Sequence, residues 1–293
     1  MMLSMQRLEL IEPLLRHTPE EGFNETDIPG LRLYRQLRPT VEPMPVVYEP
    51  SICVIVQGSK SLVFGEQTIT YDPWNFLVSA LTLPLYAKVP EASPEKPFLG
   101  FLVGFDPVQV GTLLAELDGL ITWPQEAPNV TLSACPLNTS LARAMSRLIG
   151  CLDDAMDRKI LADGLIREII YEALKGPSGH VLRGQVLSGG RVHQVAQAVT
   201  FLQENYNKSL DIETIARQAA MSPSALHEHF KRLTALSPMQ YVQHLRLHKA
   251  RALLLGGHAA AEAGFAVGYN SPSQFSREFR RLFGVSPSRI RVA

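Results

Sequence analysis

Residues 271–287 read SPSQFSREFRRLFGVSP, with Arg277, Arg280 and Arg281 clustered around the aromatic pair Phe275 and Phe279. A guanidinium offers planar, parallel N–H donors, a geometry that suits the O6 and N7 of one guanine or the oxygens of a phosphate. A near copy lies upstream, where 222–238 reads SPSALHEHFKRLTALSP. Set against each other without a gap, 221–241 and 270–290 share Ser222/Ser271, Pro223/Pro272, Ser224/Ser273, Phe230/Phe279, Arg232/Arg281, Leu233/Leu282, Ser237/Ser286 and Pro238/Pro287.

Helices must position these groups. Each copy opens with Ser at an N-cap and Pro at the first helical position. Leu226, Phe230 and Leu233, like Phe275, Phe279 and Leu282, recur at i, i+4, i+7 and define a buried helix face. The aromatics are therefore expected in a core rather than stacked on bases. Before each copy lies a short helix and a tight turn, DIETIARQAAMS and AAAEAGFAVGYNS. The result is two helix-turn-helix motifs, at about 211–232 and 259–282, whose second helices can enter a major groove. Base edges are read from the first two turns. The exposed candidates there are Ser224, His227 and Glu228 in the first motif and Ser273, Gln274 and Arg277 in the second. Arg277 suits guanine and Gln274 suits adenine. Lys231, Arg232, Arg280 and Arg281 lie further along and suit phosphate neutralisation.

The charge distribution agrees. The chain is neutral overall, yet residues 191–293 carry 13 Lys and Arg against 6 Asp and Glu, while residues 1–190 carry 15 against 22. Such asymmetry is the mark of a nucleic-acid-binding part joined to a different part. A chain of 293 residues is long for one domain, so two are expected. Hydrophobic residues at 46% and charged residues at 19% describe a globular protein rather than a disordered one. No apolar run approaches the ~18 residues that span a bilayer, and MMLSMQRLELIEPLL lacks a basic start and a cleavage site, reading as a short amphipathic helix. Cys53, Cys135 and Cys151 form no framework and no CxxC pair, which points to a reducing cytoplasm.

From about Leu31 to Phe105 the pattern is of short strands punctuated by Pro and Gly turns: LRLYRQL, ICVIV, SLVF, TITY, NFLVSAL and FLGFLVGF. That pattern predicts a sandwich or small barrel. Asp106-Pro107 opens a helix to about Leu117, and helical periods follow over 139–154 and 158–175. In the last of these Ile160, Leu161, Leu165, Ile169, Ile170 and Leu174 form a broad apolar stripe that must be covered by the rest of the chain or by a second subunit. The Gly- and Ser-rich 176–190 is the expected linker. The division is thus 1–175, a linker over 176–190, and 191–293.

The segment from about Val195 to Ile290 resembles the DNA-binding domain of the AraC/XylS family of bacterial transcription regulators. SPMQYVQHLRLHKARALL at 238–255 resembles its connecting helix, and GYNSPSQFSREFRRLFGVSP resembles its signature around the second motif. The resemblance implies that the connecting helix holds both recognition helices for successive major grooves, about 34 Å apart. One departure is Ala263-Gly264 in the second scaffold helix. A mid-helix glycine costs about 1 kcal/mol relative to alanine, so that motif is expected to be less rigid.

SICVIVQGSKSLVFGEQTITYDPWNFLVSALTLP resembles the cupin-type N-terminal domain of one branch of the family. The whole would then be an α+β two-domain protein: a cupin-like β-barrel with dimerisation helices, then an all-α tandem helix-turn-helix domain. In relatives the barrel senses an effector. Arg32, Tyr34, Gln36, Tyr71, Trp74 and Tyr86 are candidates to line it, and Arg32, Arg35 and Arg38 could attract an anion. Cys53, in an apolar strand, reads as a small buried hydrophobe. A metal-dependent cupin enzyme would need converging imidazoles or carboxylates, yet no histidine lies between His17 and His180. No catalytic residue, metal or cofactor is implied. The implied partners are double-stranded DNA, a small-molecule effector, a second copy of the chain and RNA polymerase. A barrel that only dimerises or contacts another protein is the alternative.

Overall fold

The computed structural model describes residues 2–121, 130–187 and 190–290. Among them, β1 (Gly22–Glu25), β2 (Leu31–Gln36), β9 (Phe98–Gly104), β4 (Ser51–Gln57), β7 (Asn75–Ser79) and β10 (Leu132–Pro136) pair in that order as an antiparallel sheet. A second antiparallel sheet runs β3 (Met44–Tyr48), β8 (Leu83–Lys88), β5 (Lys60–Phe64), β6 (Gln67–Tyr71). The two sheets enclose one interior in the manner of a cupin-like jelly roll. Strand pairing among the described residues does not close them into a single barrel.

The apolar run ICVIV follows from burial of β4 on both faces. Side chains alternate across a strand, so Cys53 and Ile55 face the second sheet while Ile52, Val54 and Val56 face a helical layer. That layer consists of α1 (Met2–His17), α2 (Pro107–Glu116), α3 (Thr139–Gly150), α4 (Ala155–Lys175) and α5 (Gly179–Val186). Asp106 caps α2 as its sequence predicts: its carboxylate accepts from the Val108 amide at 2.7 Å, and Gln109 Oε1 accepts from the Asp106 amide at 2.9 Å.

The structure decides one expectation here and corrects another. The stripe on α4 is covered by its own chain. Leu165, Ile169, Ile170 and Leu174 are buried with residues of α1, α3 and α5, so a charge at Leu165 or Ile169 would disrupt the monomer rather than separate subunits. Met156, Ile160 and Leu161 are the large apolar side chains of α4 that remain exposed. The supposed linker is also structured. It carries α5, with Val181 and Leu182 fully buried, and a Cβ at Gly179 would overlap the Leu174 carbonyl oxygen. This glycine marks a tight α4–α5 corner, not a tether.

Six helices complete the chain: α6 (Arg191–Asn205), α7 (Ile212–Gln218), α8 (Pro223–Thr234), α9 (Pro238–Leu255), α10 (Ala260–Ala266) and α11 (Pro272–Phe283). Helix α9 belongs to two cores. Its Tyr241, Val242 and Leu245 pack with α6, α7, α8 and the interior of the sandwich, while Leu247, Ala250 and Leu254 pack with α10 and α11. Helices α6, α8 and α9 are bonded to the sandwich. Tyr241 Oη donates to the Thr82 carbonyl at 2.8 Å, Gln203 Nε2 donates to Thr82 Oγ1 at 2.9 Å, and Thr131 Oγ1 donates to the Leu233 carbonyl at 2.6 Å.

His248 on α9 meets the Phe283 ring of α11 edge-on at 5.2 Å. Burial, aided by His244 and Arg251, pushes its pKa from 6.5 down to about 3. Between those values the unfolded chain binds a proton that the native state refuses. Stability is therefore full above pH 6.5 and falls as the pH drops, by about 2 kcal/mol at pH 5. Thermal unfolding compared at pH 7 and pH 5 should show this loss, and His248→Leu should flatten it. An equal pH response in both proteins would assign the effect to other groups.

Candidate nucleic-acid interface

The two recognition helices are built alike. Ser222 Oγ accepts from the Ala225 amide and Ser271 Oγ from the Gln274 amide, both at 3.3 Å, and Pro occupies the first helical position in each. Leu226 and Phe230, and likewise Phe275 and Phe279, are buried. The opposite faces are exposed: Ser224, His227, Glu228, Lys231 and Arg232 on α8, and Ser273, Gln274, Arg277, Arg280 and Arg281 on α11. Among the described residues, none of these five lysine and arginine side chains forms an ion pair with a carboxylate. Helix α9 carries both cores, the first on Tyr241, Val242 and Leu245 and the second on Leu247, Ala250 and Leu254.

Sequence reasoning missed how some of these side chains are held. Gln274 Nε2 donates to Glu278 Oε1 at 3.0 Å, and Tyr269 Oη donates to Glu278 Oε2 at 2.6 Å. Burial is the largest single influence on the Glu278 carboxyl and raises its pKa, but these hydrogen bonds, with Gln243 and Arg281, together outweigh it and hold the pKa below its ordinary value. The charged carboxylate fixes the amide so that its remaining atoms are presented outward. The i, i+4 spacing of Gln274 and Glu278 was the available signal. Arg232 is oriented by His229 Nδ1 at 2.8 Å, and Arg281 lies 3.4 Å from Gln243 Oε1 of α9. The two motifs differ in setting. On α8, His227, Glu228, Lys231 and Arg232 share a cleft with the β5–β6 turn around Gly65 and with Thr131.

The second motif also corrects the reading of Gly264. A Cβ there would lie 2.9 Å from Cδ1 and 3.0 Å from Cγ of Phe275. The glycine admits the ring against α10, so its absence of side chain tightens the motif.

A cavity of about 170 Å³ lies between the sheets. Of the side chains expected to line it, Arg32, Tyr34 and Tyr71 do so, as does Cys53. Gln36, Trp74 and Tyr86 do not. Gln36 accepts from Tyr34 Oη at 2.9 Å and lines a separate depression beside Arg38, and Trp74 sits half-exposed in the β6–β7 turn. Tyr86 alternates with the inward Leu85 and Ala87, so it faces away. The three arginines do not converge either: Arg35 donates to the Thr18 carbonyl at 3.1 Å, and Arg38 borders a separate surface depression.

Comparison with known proteins places this geometry. A family model described as the N-terminus of AraC-type transcriptional regulators matches residues 27–181, and a helix-turn-helix domain model matches 215–293. The transcriptional activator RhaS of Salmonella schwarzengrund is 33% identical over 185 residues, covering 61% of this chain and 63% of RhaS. RhaS of Salmonella typhimurium is 32% identical over the same shares. The chain therefore spans less than two thirds of these relatives. Apo ToxT from Vibrio cholerae superposes with a TM-score of 0.62 at 11% identity, covering 90% of this chain and 97% of ToxT. ToxT bound to (E)-4-(8-methylnaphthalen-1-yl)but-3-enoic acid gives 0.63 at 12% identity over 88% and 96%. At that identity the likeness is one of fold.

Proposed function

This chain belongs to the AraC family of transcriptional regulators, and from that we propose that it binds specific double-stranded DNA and regulates transcription. One observation carries the reading. Two Ser-capped helices bury matching apolar faces and leave matching cationic faces uncovered, at the two ends of a shared helix. Ser224, His227, Glu228, Ser273, Gln274 and Arg277 read base edges in this proposal, while Lys231, Arg232, Arg280 and Arg281 contact phosphates. A small molecule in the cavity between the sheets modulates binding, the protein works as a homodimer in the cytoplasm, and RNA polymerase is a partner. No step of this function requires catalysis or a cofactor.

Selection of bound fragments from a genomic library with the full chain tests the proposal. A site of two short boxes about one helical turn apart is expected, and failure to enrich any shared sequence would sink it. Salt titration then separates roles. Binding should weaken steeply with salt, and Arg281→Ala should weaken it on all sequences while reducing the salt slope by about 1. An unchanged slope would remove Arg281 from the phosphate contacts.

A further inference from the structure

The cavity between the sheets carries a chemical signature of its own. Its walls are mostly rings and aliphatic side chains, including Phe23, Tyr34, Tyr48 and Phe98. At its edge the Lys60 ammonium stands 5.1 Å from the centroid of Tyr34, 5.3 Å from that of Tyr48 and 5.9 Å from that of Phe98. Three ring faces hold the cation in place but leave its charge intact. The one carboxylate that lines the cavity, Glu49, is bound by Arg32 at 3.0 Å. Among the described residues Lys60 has no carboxylate partner.

The polar groups facing the interior are few. Tyr48 and Tyr71 place their hydroxyls 3.3 Å apart, and burial pushes both phenols above their ordinary pKa, so they remain neutral O–H groups. Ser51 Oγ is already spent on the Glu49 carbonyl at 2.7 Å. A polyol would bring many hydroxyls into a site with few partners, and each unpaired one is costly. An apolar molecule with a single negative charge meets a fixed cation, two phenols and apolar walls. Size narrows the class further. A cavity of about 150 Å³ is known to admit benzene, so 170 Å³ holds about one ring with a short substituent.

We propose that this cavity binds a compact apolar monocarboxylate, of the size of one ring with a short side chain, whose carboxylate is received by Lys60. This rests on the reading that the N-terminal domain holds an effector, and it names that effector's class. Glu49 and Arg32 close the rim, and the Tyr48–Tyr71 pair donates to whatever acceptor reaches the floor. Lys60 was not among the sequence candidates: it stands on β5, whereas Arg32 and Arg35 stand on β2.

Isothermal titration of the full chain with phenylacetate and with its neutral isostere phenylacetamide tests the proposal. The acid should bind at least about tenfold more tightly than the amide, because a charge-assisted bond replaces a neutral one. Lys60→Met keeps an apolar stem in the ring cage and removes the charge, so it should abolish the preference while sparing the weak binding of the amide. Lys60→Arg, which restores the cation, should retain part of it if Lys60→Met misfolds. Equal affinity for acid and amide, or a preference that survives Lys60→Met, overturns the assignment. If monosaccharides or other neutral probes bind and carboxylates do not, the effector reading stands and this inference fails. If phenylacetate binds as expected but leaves DNA affinity unchanged, this inference stands and the regulatory reading fails.

Discussion

Replacing Gly264 by alanine should destabilise the second helix-turn-helix by about 1–3 kcal/mol, and adding Phe275→Leu should recover most of the loss. Intrinsic propensity argues the opposite, since alanine gains about 1 kcal/mol over glycine inside a helix. Packing decides, because the new methyl would press into the Phe275 ring at 2.9 Å. The first motif shows the alternative solution. Met221 N donates to the Ala216 carbonyl at 2.9 Å as Tyr269 N donates to the Gly264 carbonyl at 3.0 Å, which equates Ala216 with Gly264. Counted from the caps Ser222 and Ser271, past one additional turn residue in the second motif, Leu226 stands where Phe275 stands. One motif uses a methyl and a leucine, the other a bare backbone and a phenylalanine. Buried volume has been moved across the contact rather than lost. Phe275→Leu alone should open a void and also destabilise, so the double variant tests coupling rather than summed damage. Thermal or denaturant unfolding of the four proteins gives the coupling energy. Strictly additive losses would show that the two positions do not share this space.

The same example marks where sequence reading stops. Gly264 could be priced for its helix propensity, but its partner lies in another helix and only packing identifies it. The helices were legible wherever caps and periodicity coincided, as at Asp106-Pro107, and the tandem motifs were legible because the chain states them twice. Strands β3, β8 and β10 were not, since each contains a proline: Pro45, Pro84 and Pro136. Proline is tolerated where its missing N–H is not needed. Pro45 lies on an edge strand, Pro136 ends one, and Pro84 lies beyond the Val63–Tyr86 pair where β5 stops pairing with β8. The cavity was half legible. Arg32, Tyr34 and Tyr71 could be picked by type, whereas Tyr48, Lys60 and Phe98 required the facing of two sheets. The cover of the α4 stripe was likewise invisible, because α1 and α5 reach it from opposite ends of the N-terminal half.

Arg277→Ala should relax base preference at one position of the second half-site and leave the first half-site's preference intact. Arg277 lies between the buried Phe275 and Phe279 and is itself exposed, without a carboxylate partner among the described residues. Its guanidinium is therefore available from the second turn of α11, the part of the helix that enters a groove first. Gln274, one turn back, is by contrast already held by Glu278, so the two side chains present different faces to neighbouring base pairs. A bidentate pair with the O6 and N7 of one guanine is worth about 1–3 kcal/mol of discrimination, whereas a phosphate contact weakens all sequences alike. Lysine, lacking the planar fork, should replace Arg277 poorly. Affinities for a panel of single-base operator variants decide between the roles. Loss confined to one base pair, and absent from variants of the α8 half-site, marks a base reader. A uniform loss across the panel would return Arg277 to the phosphate-binding group with Arg280 and Arg281.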